Sequence, residues 1–327
     1  MAIGAGFACG GFCIQFGCDW VAFLYASIAA ILGMRLRQVC NESGLNHYMG
    51  IAISAFVATI IAWASTLLPA EWTSTPWHPL LACALFIVPG VPLINFVDDM
   101  LDNYIQVGIV RAVNTLLMVA AMAFGIAFAV KLCRIENFFP TISMVPHHQY
   151  WEYAIAAAIS AMGFSMIFNI QRRLLWVVAI GGIIAVCTRN FVNLGPSTDN
   201  IGLDMGLVIG SFSGAVLVSL IAIKAVHWFH VPNHVLTIPS VIPMIPGVLM
   251  YRMLFGIINI NVQSIDQVTP LMKAIESGVN SGLVIMCIAL GVAIPNIFGR
   301  RFIASSKNKR LAELLKERKA RGKFVEW

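Results

Sequence analysis

The sequence predicts an all-α, polytopic membrane protein of about ten transmembrane helices, arranged as an inverted five-plus-five repeat. Three observations carry that expectation. The 327 residues are 59% hydrophobic and 11% charged, against about 25% charged in an average soluble domain. Apolar runs of roughly 20 residues recur from end to end. The chain also repeats itself in order. Gly11-Phe12-Cys13-Ile14-Gln15-Phe16 returns as Gly163-Phe164-Ser165-Met166-Ile167-Phe168, and Pro89-Gly90-Val91 as Pro246-Gly247-Val248. Ala123-Phe124-Gly125-Ile126-Ala127 returns as Ala289-Leu290-Gly291-Val292-Ala293. Two similar apolar halves, each broken by Pro-Gly at the same place, are the pattern of a transporter built from an internal repeat.

The first repeat covers residues 1–134. Its first two helices are expected at Ala2–Gly17 and Trp20–Met34, joined tightly at Cys18-Asp19, and its third at His47–Leu68. A fourth starts near Pro79 and is interrupted at Pro89-Gly90-Val91-Pro92, and a fifth spans Tyr104–Leu132. A polar, proline-containing linker occupies 135–149. The second repeat, 150–299, reads as helices at Tyr150–Ile170, Leu174–Thr188, Leu203–Lys224, His234–Ile258 and Pro270–Phe298. The remainder, 300–327, is a basic tail.

Charge gives the orientation. Ten Lys/Arg and three Glu after Gly299 put +7 on the tail; the whole chain is at +6, so the rest carries −1. Such a tail suits the anionic inner leaflet better than nucleic acid, each basic residue contributing about 1 kcal/mol near that surface. The segment Arg301–Lys323 is expected to lie on the leaflet as a helix. With the C-terminus inside, counting back through the spans also puts the N-terminus inside. Arg35 and Arg37 then fall inside, as do Arg172 and Arg173, while the loop Pro69–Pro79, with no Lys or Arg, falls outside. Lys131, Arg134 and Arg189 go against the rule and are expected outside. An odd number of helices per half makes the second half enter from the opposite side to the first.

The chemistry is expected at the two broken helices. Proline removes a backbone donor, and in hydrocarbon the freed groups need partners in the protein or a wet cavity. Breaks at Pro89-Gly90 and Pro246-Gly247 in opposed halves would meet near the midplane, their half-helix N-termini suited to a carboxylate. The alternative is a plain proline kink at a helix crossing. Asn95, Asp98, Asp99 and Asp102 follow the first break, then Arg111 and Asn114. Three neighbouring Asp repel one another when ionised, so one of them is a candidate proton carrier; the other reading is an acidic loop. Arg111 suits a bidentate grip on a substrate carboxylate. The second half offers Arg252, and Glu276 and Asn280 on one face of the last helix, with Asn280 aligned to Asn114. No P-loop, CxxC or zinc-type Cys/His spacing is present, so neither cofactor nor metal is expected. His147-His148 and the His227, His230, His234 group read as polar caps at helix ends.

At these residues the chain resembles a known family. Phe86-Ile87-Val88-Pro89-Gly90-Val91-Pro92-Leu93-Ile94-Asn95, with Asp98, Tyr104, Gly108 and Arg111, is similar to the first component of the threonine/serine exporters. Ile245-Pro246-Gly247 with Tyr251-Arg252 is similar to the second, smaller component, so the chain looks like a fused form. Two features depart from the family pattern. The family often has a soluble region ahead of the first span, where here Met1 opens on the span. Arg-Asp and a later Gly-Asp-Tyr are replaced by Val97-Asp98 and Asp102-Asn103-Tyr104.

The resemblance implies proton-coupled export of threonine and serine, with Asp98, Asp99, Asp102 and Glu276 as proton-coupling candidates. Pro89, Gly90, Asn95, Arg111, Asn114, Pro246, Gly247, Arg252 and Asn280 are then the substrate-binding candidates. It also implies a multi-pass protein of the bacterial inner membrane with both termini cytoplasmic, not an enzyme. Dicarboxylate (succinate) export is the alternative, and a passive channel or a non-transporting scaffold are alternatives of another class. Expected partners are a small amino acid, protons and the bilayer, with no nucleic acid; the sequence leaves homo-oligomerisation open.

Overall fold

The computed structural model describes residues 1–69, 71–135, 149–196, 201–258 and 268–320. Most of the expected linker, with His147-His148, lies outside the described residues, as does 321–327 of the tail. Every regular element described is helical. The first half holds α1 (Ala2–Gln15), α2 (Trp20–Glu42), α3 (His47–Trp63), α4 (His78–Ala82), α5 (Gly90–Leu101) and α6 (Ile105–Leu132). The second holds α7 (Tyr150–Ile167), α8 (Leu175–Asn193), α9 (Leu207–Phe229), α10 (Asn233–Val241), α11 (Gly247–Ile258) and α12 (Val268–Ala320).

Among the described residues, six helices are long and apolar enough to cross a membrane, or up to eight if each bent pair counts as one span. The sequence expectation of about ten spans exceeds this number: α1 and α7 fall outside that set. The reason is length and composition. The 14 residues of α1 reach about 21 Å at 1.5 Å per residue, short of a hydrocarbon core about 30 Å thick. The first turn of α7 carries Glu152, whose Oε2 accepts the Gln149 amide at 3.0 Å. Both helices are rich in Gly and Ala and sit at the centre, buried against each other.

Small residues let their backbones close up. A Cβ at Gly4 would lie 2.7 Å from the Gly163 carbonyl oxygen, one at Gly11 2.6 Å from that of Ala156, and one at Gly163 2.6 Å from that of Gly4. As residue numbers rise along α1 they fall along α7, so the two helices cross antiparallel. Gln15 Nε2 donates to Ser160 Oγ at 3.3 Å across the crossing.

The halves repeat each other's packing. The first stacks α1 on α2, α2 on α3, α3 on α6 and α5 on α6; the second stacks α7 on α8, α8 on α9, α9 on α12 and α11 on α12. Between halves the exchange is reciprocal, α5 on α12 and α11 on α6. Both Pro-Gly breaks bend the chain. His78–Ile87 meets Gly90–Leu101 at 55°, and Asn233–Met244 meets Gly247–Leu254 at 61°. In each case a short 3₁₀ turn, Leu85–Ile87 or Ile242–Met244, precedes the proline. Several boundaries differ from expectation. α2 runs past Met34 to Glu42, α8 past Thr188 to Asn193, α9 spans Leu207–Phe229 rather than Leu203–Lys224, and the basic segment after Arg300 continues α12 as one helix to Ala320.

Candidate functional site

The two breaks meet. A Cβ at Gly90 would lie 2.9 Å from Ile245 Cδ1, and one at Gly247 2.6 Å from Leu85 Cδ2. A side chain at either glycine would have to push the tip of Ile245 or Leu85 aside. The contact is sealed, however. Phe12, Leu85 and Val88 face their counterparts Phe164, Ile242 and Ile245 around a void of about 10 Å³, too small for anything beyond one water. The Phe12 and Phe164 rings pack edge to face at 5.7 Å.

The usable space lies to one side. A cavity of about 360 Å³ opens beneath the first break, within the roughly 300–1,000 Å³ range of small-molecule sites. Its roof is the bent segment Phe86–Pro92, where α5 starts, so the partial positive charge of a helix N-terminus is presented there. Phe164, Ile167 and Phe168 of α7 and Met118 of α6 form an apolar wall. The polar wall is Arg37, Gln38 and Asn41 from the last turns of α2, with His47 from the start of α3. Arg35 Nη1 donates to Gln38 Oε1 at 3.2 Å, holding that side chain in place. No Asp or Glu lines the cavity, and among the described residues no carboxylate comes within ion-pair distance of Arg37. A partly buried cation without a counterion, beside an apolar wall, is a ready acceptor for a small carboxylate.

The sequence-predicted residues divide. Pro89 and Gly90 line this cavity, while Gly247 lines the seal, with Pro246 directly before it. Asn95, Asp98, Asp99 and Asp102 follow along α5 and its C-cap, away from the cavity. Arg111 Nη1 bonds Asp99 Oδ2 at 2.5 Å across the α5–α6 turn, with side chains 45% and 21% exposed. One of its nitrogens is engaged by a neighbouring carboxylate, and Arg111 is not among the residues lining the cavity. Asn114 Oδ1 accepts the Tyr48 hydroxyl at 2.7 Å, tying α6 to α3. Arg252 is partly buried on α11, and Glu276 and Asn280 lie exposed on α12. Arg37, Gln38, Asn41 and His47 were missed as site residues because the apolar run ends at Met34. The signal was their spacing: Arg37, Gln38 and Asn41, at i, i+1 and i+4, share one face of a continued helix.

Comparison with known proteins agrees with this architecture. Residues 1–133 match the threonine/serine exporter family ThrE, and residues 153–298 match the family described as Threonine/Serine exporter, ThrE. A protein of Klebsiella aerogenes named "Probable succinate transporter subunit YjjP" is 32% identical over 127 residues, covering 39% of this chain and 49% of that protein. The same-named protein of Escherichia coli K12 is 30% identical over 132 residues, covering 40% of this chain and 51% of its own. The chain thus spans about half the length of these curated relatives. No solved structure matches. The tandem of family matches, falling on the two halves that share one packing scheme, makes this chain a member of the threonine/serine exporter family with both components in one polypeptide.

Proposed function

We propose that the protein is a secondary exporter of small carboxylate-bearing metabolites, threonine and serine first, driven by inward proton movement. It works by alternating access between two inverted five-helix repeats, 1–134 and 150–299, joined by the linker 135–149. The tail 300–327 and both termini are cytoplasmic in a bacterial inner membrane. The observation that carries this reading is the 360 Å³ cavity beneath Pro89-Gly90, with Arg37 as its carboxylate anchor. The antiparallel crossing of α1 and α7 supports the inverted arrangement. On the orientation read from the charges, the cavity faces the cytoplasm, where an exporter loads. Protons move through the acidic group on α5, where Asp99 is already bonded to Arg111.

A second reading, export of a dicarboxylate such as succinate, draws on one specific observation. The cavity lining holds Arg37 and His47 and no acidic side chain to receive a substrate ammonium. The names of the two relatives point the same way.

Proteoliposomes loaded with labelled threonine or succinate test both. Efflux should saturate and should accelerate when the outside is made acidic. Replacing Asp98→Asn together with Asp99→Asn should abolish that acceleration. Efflux rising linearly with substrate would make the protein a channel, and efflux indifferent to the proton gradient would remove the coupling.

A further inference from the structure

The register shift that carries Gly11–Phe16 onto Gly163–Phe168 also carries Arg37-Gln38 onto Arg189-Asn190 and Asn41 onto Asn193. These residues occupy the last turns of α2 and of α8, the second helix of each half. We infer that Arg189, Asn190 and Asn193 form a second carboxylate-binding station, closed in this structure. It opens on the opposite side of the membrane when the second half adopts the shape the first half has here. The inference rests on the transport reading above and extends it to a site on the far side.

Three observations carry it. First, Arg189 is a partly buried cation whose hydrogen-bond partner is neutral. Its Nε and Nη2 both donate to Asn190 Oδ1 at 3.1 Å, Asn190 is 4% exposed, and among the described residues no carboxylate reaches ion-pair distance. A cation in such surroundings is costly without an anion to meet it, and a purely topological arginine belongs at the interface instead.

Second, the end of α8 is drawn shut where the end of α2 is open. The same shift pairs Phe12 and Phe16 with Phe164 and Phe168, which wall the open cavity, and a shift five residues longer pairs its roof, Pro89-Gly90, with Pro246-Gly247. A Cβ on Gly210 of α9 would lie 2.6 Å from the Arg189 carbonyl oxygen, whereas one on Gly50, the matching fourth residue of α3, would find its nearest atom, Cys40 Cβ, at 3.4 Å. Residues 203–205 bond back along the end of α8, the Leu203, Asp204 and Met205 amides donating to Phe191, Leu194 and Val192 carbonyls at 2.9–3.0 Å. The Tyr150 hydroxyl donates to the Ile201 carbonyl at 2.7 Å.

Third, the sides agree. Counting spans back from the basic tail puts Arg37 inside and Arg189, against the positive-inside tendency, outside; α1 and α7 run antiparallel, so the two stations face opposite ways. The ligand is the small carboxylate of the first cavity, since the anchoring groups are the same.

The test is sidedness. The full chain is reconstituted in vesicles sorted by protease access to the basic tail, and half-saturation is measured for labelled threonine and succinate presented on each face. Arg189→Gln should raise the half-saturation concentration about tenfold on the face opposite the tail and less than about twofold on the tail face, the loss of one charge-assisted hydrogen bond. Arg37→Gln should do the mirror image. Because Arg189→Gln also removes a packed group, Arg189→Lys and Asn193→Ala are measured beside it, and the same sidedness in either one supports the station. Equal effects on both faces, or none, would make Arg189 a structural cation and overturn the inference while leaving transport intact. A wild-type protein without saturable flux of either compound would sink the transport reading and this one with it.

Discussion

The two halves of the molecule use one packing scheme and differ mainly at one end of each. In the first half, α2 and α3 are joined by residues 43–46 alone and part beneath the break, leaving the cavity. In the second, α8 and α9 close on each other at Arg189 and Gly210, and the chain after α8 bonds back over its end. The central α1–α7 crossing and the sealed contact between breaks are close to symmetric. The lesson is that one packing scheme closes at one end and leaves a cavity at the other. On the transport mechanism proposed above, the two halves would exchange these arrangements, with the α1–α7 crossing as the proposed pivot.

That comparison is most easily broken at the pivot. Gly163→Val would drive side-chain atoms into the Gly4 carbonyl and the Ala8 amide, backbone groups that cannot turn away. We expect a loss of about 3 kcal/mol or more in unfolding free energy, read by thermal denaturation in detergent. Gly282→Ala, where nothing lies within 4 Å of the new methyl, should be neutral or stabilising by up to about 1 kcal/mol. Equal damage from both would mean that α1 and α7 do not meet as described.

A smaller effect separates the two ends. Gly210→Ala places a methyl 2.6 Å from the Arg189 carbonyl, while Gly50→Ala places one 3.4 Å from Cys40 Cβ, an ordinary contact. The first should cost about 2 kcal/mol and bias the second half toward its open shape, seen as faster labelling of a thiol introduced at Asn193. The second should leave stability and flux close to wild type. Identical behaviour would erase the asymmetry on which the open and closed assignment depends.

Much of this was legible in the sequence, for reasons particular to certain residues. Repeated blocks revealed the halves because helix crossings need Gly at fixed places, and Gly11 and Gly163 are such places. Pro89 and Pro246 revealed the bends because proline cannot continue the backbone ladder. The cavity was not legible. Polarity beginning at Arg35 looks the same whether a helix stops or continues with its polar face on an internal space, so α2 was ended at Met34. Arg111 shows a related limit: sequence gives a charge but not its neighbour, and Asp99 stands only a turn away across the α5–α6 corner. Nor could hydropathy tell that α1 and α7 bury themselves in protein, since lipid and a helix interface both favour apolar residues.

The smallest expected effect lies at the start of α2, and again the halves differ. Asp19 caps α2: its Oδ1 accepts the Ala22 amide at 2.8 Å, and its Oδ2 accepts Thr73 Oγ1 at 2.8 Å and the Ser74 amide at 2.7 Å. Its own amide donates to Thr75 Oγ1 at 3.0 Å, so the loop before α4 is fastened to the α1–α2 turn. The corresponding residue in the second half, Gln171, makes no side-chain cap, and its Oε1 accepts the Arg173 Nε at 2.7 Å. Burial pushes the Asp19 carboxyl up, but the hydrogen bonds from Ala22, Thr73 and Ser74 outweigh it and hold the group below its ordinary 3.8. A carboxyl lowered on folding stabilises above its unfolded value, and that contribution drains away as pH falls through the folded one. The melting temperature should therefore be flat with respect to Asp19 from pH ~7 to ~5 and decline below about 4. Asp19→Asn should lower the neutral plateau by about 1 kcal/mol and remove this part of the acid decline, because an amide has one acceptor oxygen where the carboxylate uses two. Gln171→Ala should change neither. An Asp19→Asn protein that loses stability in acid along the wild-type curve would show that the fastening of this loop does not depend on the ionised carboxylate.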